Sequence, residues 1–477
     1  MKILYYNWVP YDYKKIVGGG VQVYQANVLK HLVENNYNAD IYFLSSGFKH
    51  NPFIKGTYFR KTKSSNKKVK SYEIITSPIL SPMVYAGSDI KKYTDDKTIV
   101  KTFADFIDYC GGFDVIHINN FEGITPACMQ IKEKYPNTKI IFSVHNYVPI
   151  CPRVQYFQET NCKICDDFKN GKECVKCFKR EWCANRQKIH NVYAFFKNLY
   201  LPHFIQRWII KIFKKNINRY FVKTNISTAS DFKKFRETNI DYINKYVDVV
   251  LAVSKRVSDI CISHGIRPEK VKCSYIGTKF ADNALYRRRN PNQKDGLTIC
   301  YLGYARNDKG YFFMLDALSE LPQEYKTQVN IIIAAKGAPC LERLSNFKSV
   351  ITYDGYSHKN LKEVLSNVDL GLVPVIWEDN LPQVAIEMSA LGIPILASSF
   401  GGASELTRSD LFKFRGGDKQ DFQTKLIQFI KNPDLLDEYY KHANKLQTMN
   451  GHIKELMNFY TDFHFHHSLH HITHHDF

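Results

Sequence analysis

The segment WEDNLPQVAIEMSALGIPILASSFGGASE, running from Trp377 to Glu405, decides how the rest of the chain is read. Asp379 and Glu387 are separated by seven residues in it. Asn380, Leu381 and Pro382 form a non-helical approach, and Val384–Ala390 then reads as the start of a helix. Asp379 therefore falls in the loop ahead of the helix, and Glu387 a turn or so inside it. The apolar run IPILASS that follows predicts a strand. Two carboxylates in such places can accept charge-assisted hydrogen bonds from paired sugar hydroxyls. Acids near a helix N-terminus are also favourable on electrostatic grounds alone. The residues by themselves leave both readings open.

Outward from this segment the same alternation continues. LTICYLG (297–303) predicts a strand, and Lys309-Gly310 opens a helix through Leu321. VNIIIAAKG, VITYDG and DLGLVPV supply further strands, with helices near 359–367 and 383–391. A separate series occupies the first half. KILYYNW (2–8) leads into the loop Gly18-Gly19-Gly20 and a helix carrying Val21, Tyr24, Val28 and Leu29 at helical spacing. ADIYFLS, DVIHI (114–118), KIIFSVH (139–145), DVVLAVS (248–254) and KCSYIG (272–277) follow as strands, with a helix near 125–135. Short strands rich in Ile and Val suit parallel sheets covered on both faces. The polar stretch RRRNPNQKDG (287–296) separates the two series. The expected architecture is α/β, with two Rossmann-like doubly wound domains, residues 1–286 and 297–445, facing across a cleft. Residues 446–477 are expected to add a C-terminal helix and a tail with seven histidines between His464 and His475. From residue 452 on, the reading is either a loose metal-binding tail or a frayed end with no part in the core.

Gly19 and Gly20 lie where a backbone can approach a ligand next to a helix N-terminus. Their spacing is not that of a dinucleotide-binding loop. Lys309 and Arg306 lie just after a strand, where a parallel sheet would receive a phosphate.

The 477 residues carry a formal charge of +20, and 44% are apolar, enough for packed cores. No apolar run is long enough to span a membrane, and the N-terminus lacks the apolar region of a secretory leader. A cytoplasmic location is expected. The charge is concentrated: residues 48–72 hold eight Lys/Arg and no acid, and residues 176–236 hold fifteen against Glu181 and Asp231. The remainder of the chain is close to neutral. Such segments suit an anionic membrane, a phosphorylated substrate or nucleic acid, and they also suit plainly solvated lysines. Within residues 192–219, Ile205, Trp208, Ile209, Ile212 and Phe213 share one helical face, with Arg207, Lys211, Lys214 and Lys215 largely off it. This fits a helix lying on a membrane surface, or a core-packed helix with a basic outer face. The insert 151–183 holds six of the twelve cysteines. Cys162-x-x-Cys165 and Cys174-x-x-Cys177 have the number and spacing of a structural zinc site, flanked by Cys151 and Cys183.

Taken with Gly18–Gly20, SVHNYVPICP (143–152), AVSKRVSD (252–259), GYARNDKG (303–310) and GG-x-x-E (401–405), the opening segment resembles the retaining glycosyltransferases of family 4, over most of residues 1–445. The resemblance implies a GT-B fold. It also implies transfer of a hexose-type sugar, with anomeric retention, from a UDP- or GDP-sugar to a glycan or lipid-linked acceptor in cell-surface polysaccharide synthesis. By the same resemblance Glu387 holds the ribose diol, Asp379 contacts the transferred sugar, and His145 touches that sugar near the reacting carbon. Lys309 holds the diphosphate. The second diphosphate cation of the family falls on Tyr304, so Arg306 is expected to take over. Gly19, Gly20, Asn380, Leu381 and Pro382 complete the donor site. No cofactor is implied for catalysis, and similar cysteine-bearing insertions occur in some members. Both basic segments fall on the acceptor side, which implies a peripheral position on the inner face of the cell membrane and no nucleic-acid partner. The rival classes are a nucleic-acid-binding zinc protein and a non-transferring GT-B enzyme such as a nucleotide-sugar epimerase.

Overall fold

The computed structural model describes residues 1–477 apart from 15–16, 36, 84–88, 159–160, 166, 179–183, 198–203, 205–207, 209–210, 212–226, 287–295 and 462–477. Nearly all of the linker 287–296, the histidines from His464 to His475, Cys183 and most of the 205–215 helical face lie outside the described residues.

The first half contributes β1 (Lys2–Tyr6), β2 (Asp40–Ser46), β3 (Tyr58–Lys61), β4 (Val69–Ile75), β5 (Val115–Ile118), β6 (Lys139–Val144), β7 (Phe157–Gln158), β8 (Lys163–Ile164), β9 (Val249–Ala252) and β10 (Val271–Cys273). Eight of them form one sheet in the order β10-β9-β6-β5-β1-β2-β4-β3, while β7 and β8 pair separately. Only the β3 edge of this sheet is antiparallel. The second half contributes β11 (Leu297–Leu302), β12 (Val329–Ala334), β13 (Ser349–Tyr353), β14 (Leu370–Val373), β15 (Ile395–Ser398) and β16 (Lys413–Phe414). These form an all-parallel sheet in the order β13-β12-β11-β14-β15-β16. Every residue of β5, β6, β9, β14 and β15 is buried, which is why these strands read as largely apolar, Ile- and Val-rich runs. Strand order reverses beside β1 in one sheet and beside β11 in the other, so each sheet opens a crevice at its carboxyl edge. The glycine loop, residue 145, Lys309 and Asp379 all follow carboxyl ends of strands at these crevices.

Three expectations need correction. The helix expected near 125–135 is a 3₁₀ turn, Pro126–Gln130, followed by the four-residue helix Ile131–Lys134, and that near 359–367 shrinks to Leu361–Val364. The first basic segment, read as suiting an anionic partner or plainly solvated lysines, is partly built into the sheet, because it contains β3 and the start of β4. Glu73 of β4 is buried and accepts from Lys49, itself buried, and from Arg60 Nη2 at 2.6 Å. Lys70 pairs with Asp40 at 2.9 Å. Three of the eight cations are thereby spent within the sheet.

The end of the chain is also not wholly frayed. Met449–Thr461 is a helix that returns to the first domain and buries Met449, His452, Ile453, Leu456 and Tyr460. Its Tyr460 hydroxyl meets Tyr5 at 2.9 Å and His117 Nδ1 at 2.6 Å, while His117 Nε2 meets Ser143 Oγ at 2.7 Å. Burial pushes His117 down to about 3, so it serves as a neutral core histidine.

Replacing Glu73 by Gln leaves Lys49 buried without its counter-charge. The expected cost is about 3 kcal/mol of unfolding free energy, read from urea denaturation, whereas Lys70→Ala at the exposed pair costs under about 1 kcal/mol.

Candidate functional site

A cleft of about 700 Å³ lies between the carboxyl edges of the two sheets. Its lining brings together Gly19, Gly20 and His145 from the first domain with Lys309, Asp379, Asn380, Leu381, Pro382 and Glu387 from the second. These residues lie up to 368 positions apart in the chain. Arg306 is the one expected donor-site residue absent from the lining.

The loop Trp377–Pro382 leaves the end of β14 and feeds the helix Gln383–Ala390. Three consecutive side chains in it have three different partners. Glu378 is fully buried and accepts from Arg256 of the first domain, Nε at 3.0 Å and Nη2 as well, and from the Gly401 N–H at 2.8 Å. Asp379 meets Lys309 Nζ at 2.5 Å, and that ammonium also lies 4.9 Å from the centre of the Trp377 ring. Asn380 donates to the Val144 carbonyl of β6 at 3.1 Å, next to His145, while its buried Oδ1 has no partner. Gly401 is a glycine for a steric reason. Its φ is +74°, and a Cβ there would come within 2.1 Å of the Asp379 carbonyl oxygen.

Glu405 completes the junction between domains. It accepts from the Lys255 and Arg256 N–H groups at 2.9 and 2.7 Å, capping the helix Lys255–Ser263, and from the Tyr275 hydroxyl at 2.7 Å. The motifs AVSKRVSD and GG-x-x-E therefore meet each other across the domains.

Glu387 is buried beneath the cleft floor, with Tyr356 donating to Oε2 at 3.3 Å and His358 Nε2 3.0 Å from Oε1. The hydrogen bond to Glu387 raises the His358 imidazole above its ordinary value and favours the imidazolium. Both carboxylates of the seven-residue pattern therefore sit against cationic or donor side chains.

His145 lines the cleft with Nε2 shut from solvent and without a hydrogen-bond partner. Burial pushes it down to about 3, so it is a neutral imidazole at physiological pH. Its ring lies against that of Tyr24, with centroids 4.7 Å apart.

The guanidinium of Arg306 is clamped by Asp308, Nε to Oδ1 at 2.8 Å and Nη2 to Oδ2 at 2.6 Å, and Gln155 of the first domain donates to the same carboxylate at 2.8 Å. Arg306 thus serves the junction rather than the cleft. Tyr304 does line the cleft and is exposed there. Lys336, Asp354, Tyr356 and His358 line it too and were not anticipated. The signal for them was positional: Lys336 follows β12 and the other three follow β13, at the carboxyl edge where ligand groups collect.

The cysteine insert is less ordered as a ligand set than its spacing suggests. Cys165 and Cys174 are buried and Cys177 is half-buried, whereas Cys162 is exposed on left-handed backbone. Arg236 Nη1 lies 3.2 Å from the Cys174 sulfur. Burial pushes the Cys151 and Cys165 thiols up to about 12, which keeps them protonated. Among the described residues no group of three or more His, Cys, Asp or Glu is arranged to hold a metal ion.

Comparison with known proteins places this geometry. Residues 282–446 match the family model described as glycosyl transferases group 1. An uncharacterized glycosyltransferase of Methanocaldococcus jannaschii is 22% identical over 187 residues, a match covering 36% of this chain and 48% of that protein. The chain thus spans about half the length of the curated relative it matches. Among solved structures, HepE of Anabaena in complex with UDP and glucose superposes with a TM-score of 0.54 at 13% identity, covering 96% of this chain and 98% of that one. The lipopolysaccharide outer core galactosyltransferase WaaB in its apo form gives 0.55 at 14% identity, covering 96% and 99%. Sucrose-phosphate synthase from Thermosynechococcus elongatus gives 0.52 at 12% identity, covering 96% and 94%. The fold is GT-B, two Rossmann-like domains about a cleft.

Proposed function

We propose that the chain is a retaining glycosyltransferase. It moves a hexose from a UDP- or GDP-sugar to a hydroxyl of a glycan or lipid-linked acceptor, in the building of a cell-surface polysaccharide. The observation that carries this reading is the convergence of Lys309, Asp379 and Glu387 with His145 on one cleft wall system. The group 1 family match over the second domain supports it, and so do the structural neighbours described with UDP or UDP and glucose.

In this reading Glu387 accepts the two ribose hydroxyls, with Tyr356 and His358 fixing its carboxylate. Lys309 neutralises the diphosphate, and Lys336 supplies the second cation in place of Arg306. The diphosphate competes with Asp379 for Lys309, which frees Asp379 to accept hydrogen bonds from the sugar. His145, neutral and with Nε2 unsatisfied, contacts the sugar near its anomeric carbon. Gly19 and Gly20 let the first-domain backbone come close to the donor. The bond from the anomeric carbon to the diphosphate oxygen breaks as the acceptor oxygen bonds to that carbon from the same face. The acceptor proton passes to a departing phosphate oxygen. Charge building on the diphosphate is the quantity the cations stabilise. No protein nucleophile takes part.

For the acceptor side we propose contact with an anionic membrane from a cytoplasmic position. The two basic segments, distant in sequence, are joined in space. The His50 N–H donates to the Asn191 carbonyl at 3.1 Å, and Phe53 and Phe196 meet with ring centres 5.7 Å apart. Phe53, Ile54, Tyr193, Phe204 and Trp208 are exposed on these segments, with Lys55, Lys188 and Lys211 also exposed. Among the described residues no helix is long and apolar enough to cross a membrane. Surface attachment through aromatic side chains and cations fits this composition. The spacing of Cys162, Cys165, Cys174 and Cys177 supports one further proposal, a structural zinc ion gathered by the insert.

Three measurements test these readings. Nucleotide-sugar donor at a hundred times its Kd stabilises the protein by about 2.7 kcal/mol, and Glu387→Ala and Lys309→Ala each remove most of the thermal shift. Full shifts in both variants, or stabilisation by DNA and by no nucleotide sugar, overturn the donor site. The wild type sediments with phosphatidylglycerol vesicles and not with phosphatidylcholine vesicles. The combined Phe53→Ser, Trp208→Ala and Lys211→Glu variant loses at least fivefold of that binding while UDP affinity stays unchanged. Elemental analysis of the purified protein is expected to find one zinc per chain, and a value near zero removes the zinc proposal.

A further inference from the structure

His145 has no hydrogen bond at Nε2 to fix its ring, so packing must orient it. The packing partner is Tyr24, on the helix Gly19–Glu34 that follows the glycine loop. Tyr24 is buried, and the planes of the two rings are inclined at 48°. The Tyr24 hydroxyl is held in turn by His452 Nε2 at 2.6 Å, with ring centroids 5.5 Å apart. His452 is buried as well, and it belongs to the final helix, Met449–Thr461, more than three hundred residues downstream of His145.

That helix cannot drift from its seat. A Cβ on Gly277 would come within 2.6 Å of His452 Cβ and 2.8 Å of the Thr448 carbonyl oxygen, so the backbone there touches the helix directly. At its other end Tyr460 is locked to Tyr5 and His117. Burial pushes His452 down to about 4 and raises the Tyr24 phenol well above its ordinary value. Both are neutral, so their hydrogen bond is insensitive to pH through the physiological range. The three rings thus form a short column from the final helix, through Tyr24, to the cleft wall.

We infer that His452 is a positioning residue for sugar transfer, acting through Tyr24 to set the ring of His145. This rests on the role of His145 proposed above. It adds that the last helix, which touches neither nucleotide nor sugar, controls the chemical step and not donor affinity. An apolar side chain at position 452 leaves the Tyr24 hydroxyl without its partner. The Tyr24 ring is then free to turn, and His145 loses its support. Misplacement of a contacting group by about 1 Å is enough to slow a reaction about a hundredfold.

The test uses the full chain with ¹³C-labelled histidine and UDP-glucose as probe. The His145 Cε1–H resonance, assigned from its loss in His145→Gln, is expected to shift or broaden in His452→Leu and in Tyr24→Phe. It is expected to hold its place in His452→Gln, whose side-chain amide can still meet the Tyr24 hydroxyl. In kinetics with UDP-glucose, His452→Leu is expected to lower kcat tenfold or more. UDP Kd stays within twofold, His452→Gln restores most of the rate, and adding His452→Leu to a His145→Ala background changes nothing further. An unmoved His145 resonance in His452→Leu overturns the inference, as does a loss that is multiplicative with that of His145→Ala. Should the wild type bind neither UDP nor GDP and turn over no UDP- or GDP-sugar, the donor reading fails by itself. The resonance test still decides the coupling of His452 to His145.

Discussion

A single buried carboxylate, that of Glu378, fixes how the two halves of this molecule meet. It has no exposure to solvent and is held by the guanidinium of Arg256 from one domain and the Gly401 N–H from its own. A buried charge persists only where every oxygen is satisfied. The pair therefore demands that the loop after β14 and the helix beginning at Lys255 keep one relation. From that constraint the next two residues inherit their directions. Asp379 turns to Lys309 in the cleft, and Asn380 reaches the end of β6, beside His145. Glu405 repeats the device a short way along, capping the same helix. The cleft geometry is thus a by-product of the clamp between the domains.

The cleft itself is electrically balanced before any donor enters. Lys309 is paired with Asp379, and Glu387 with His358. In the proposed reading a donor exchanges partners rather than entering a field of bare charges, so its affinity is a difference between two sets of satisfied interactions. The same proposed exchange would supply selectivity, since a ligand lacking a diol or a diphosphate leaves one partner unsatisfied. The basic character of the chain lies elsewhere. Part of it stabilises the β3–β4 edge through Glu73, and among the described residues Lys55, Lys188 and Lys211 are exposed on the same segments as exposed aromatic side chains.

The sequence made the architecture legible because parallel strands buried on both faces announce themselves as short Ile- and Val-rich runs. It made most of the cleft legible because Lys309, Asp379, Glu387 and the glycine loop follow strand ends within recognisable local patterns. What it concealed depends on long-range pairing. Nothing local to Arg306 and Asp308 says that Gln155 of the other domain will donate to the carboxylate that holds the guanidinium, and nothing local to Glu378 says that Arg256, 122 residues earlier, will bury it. The segment 48–72 looked purely basic because the acid that neutralises two of its cations, Lys49 and Arg60, is Glu73, just beyond it. A C-terminal helix was expected, but its seat on the first domain was hidden. His452 reads as part of that tail until Tyr24 is seen beside it.

The proposed donor lies across Glu387 and Lys309, and a crystal structure of the protein with UDP-glucose tests that most directly. Ribose hydroxyls on the Glu387 carboxylate, the diphosphate against Lys309 with its bond to Asp379 broken, and the glucose facing Asp379 and His145 are the result expected. A nucleotide seated away from Glu387, or a cleft in which the Lys309–Asp379 pair survives saturation with UDP-glucose, would contradict it.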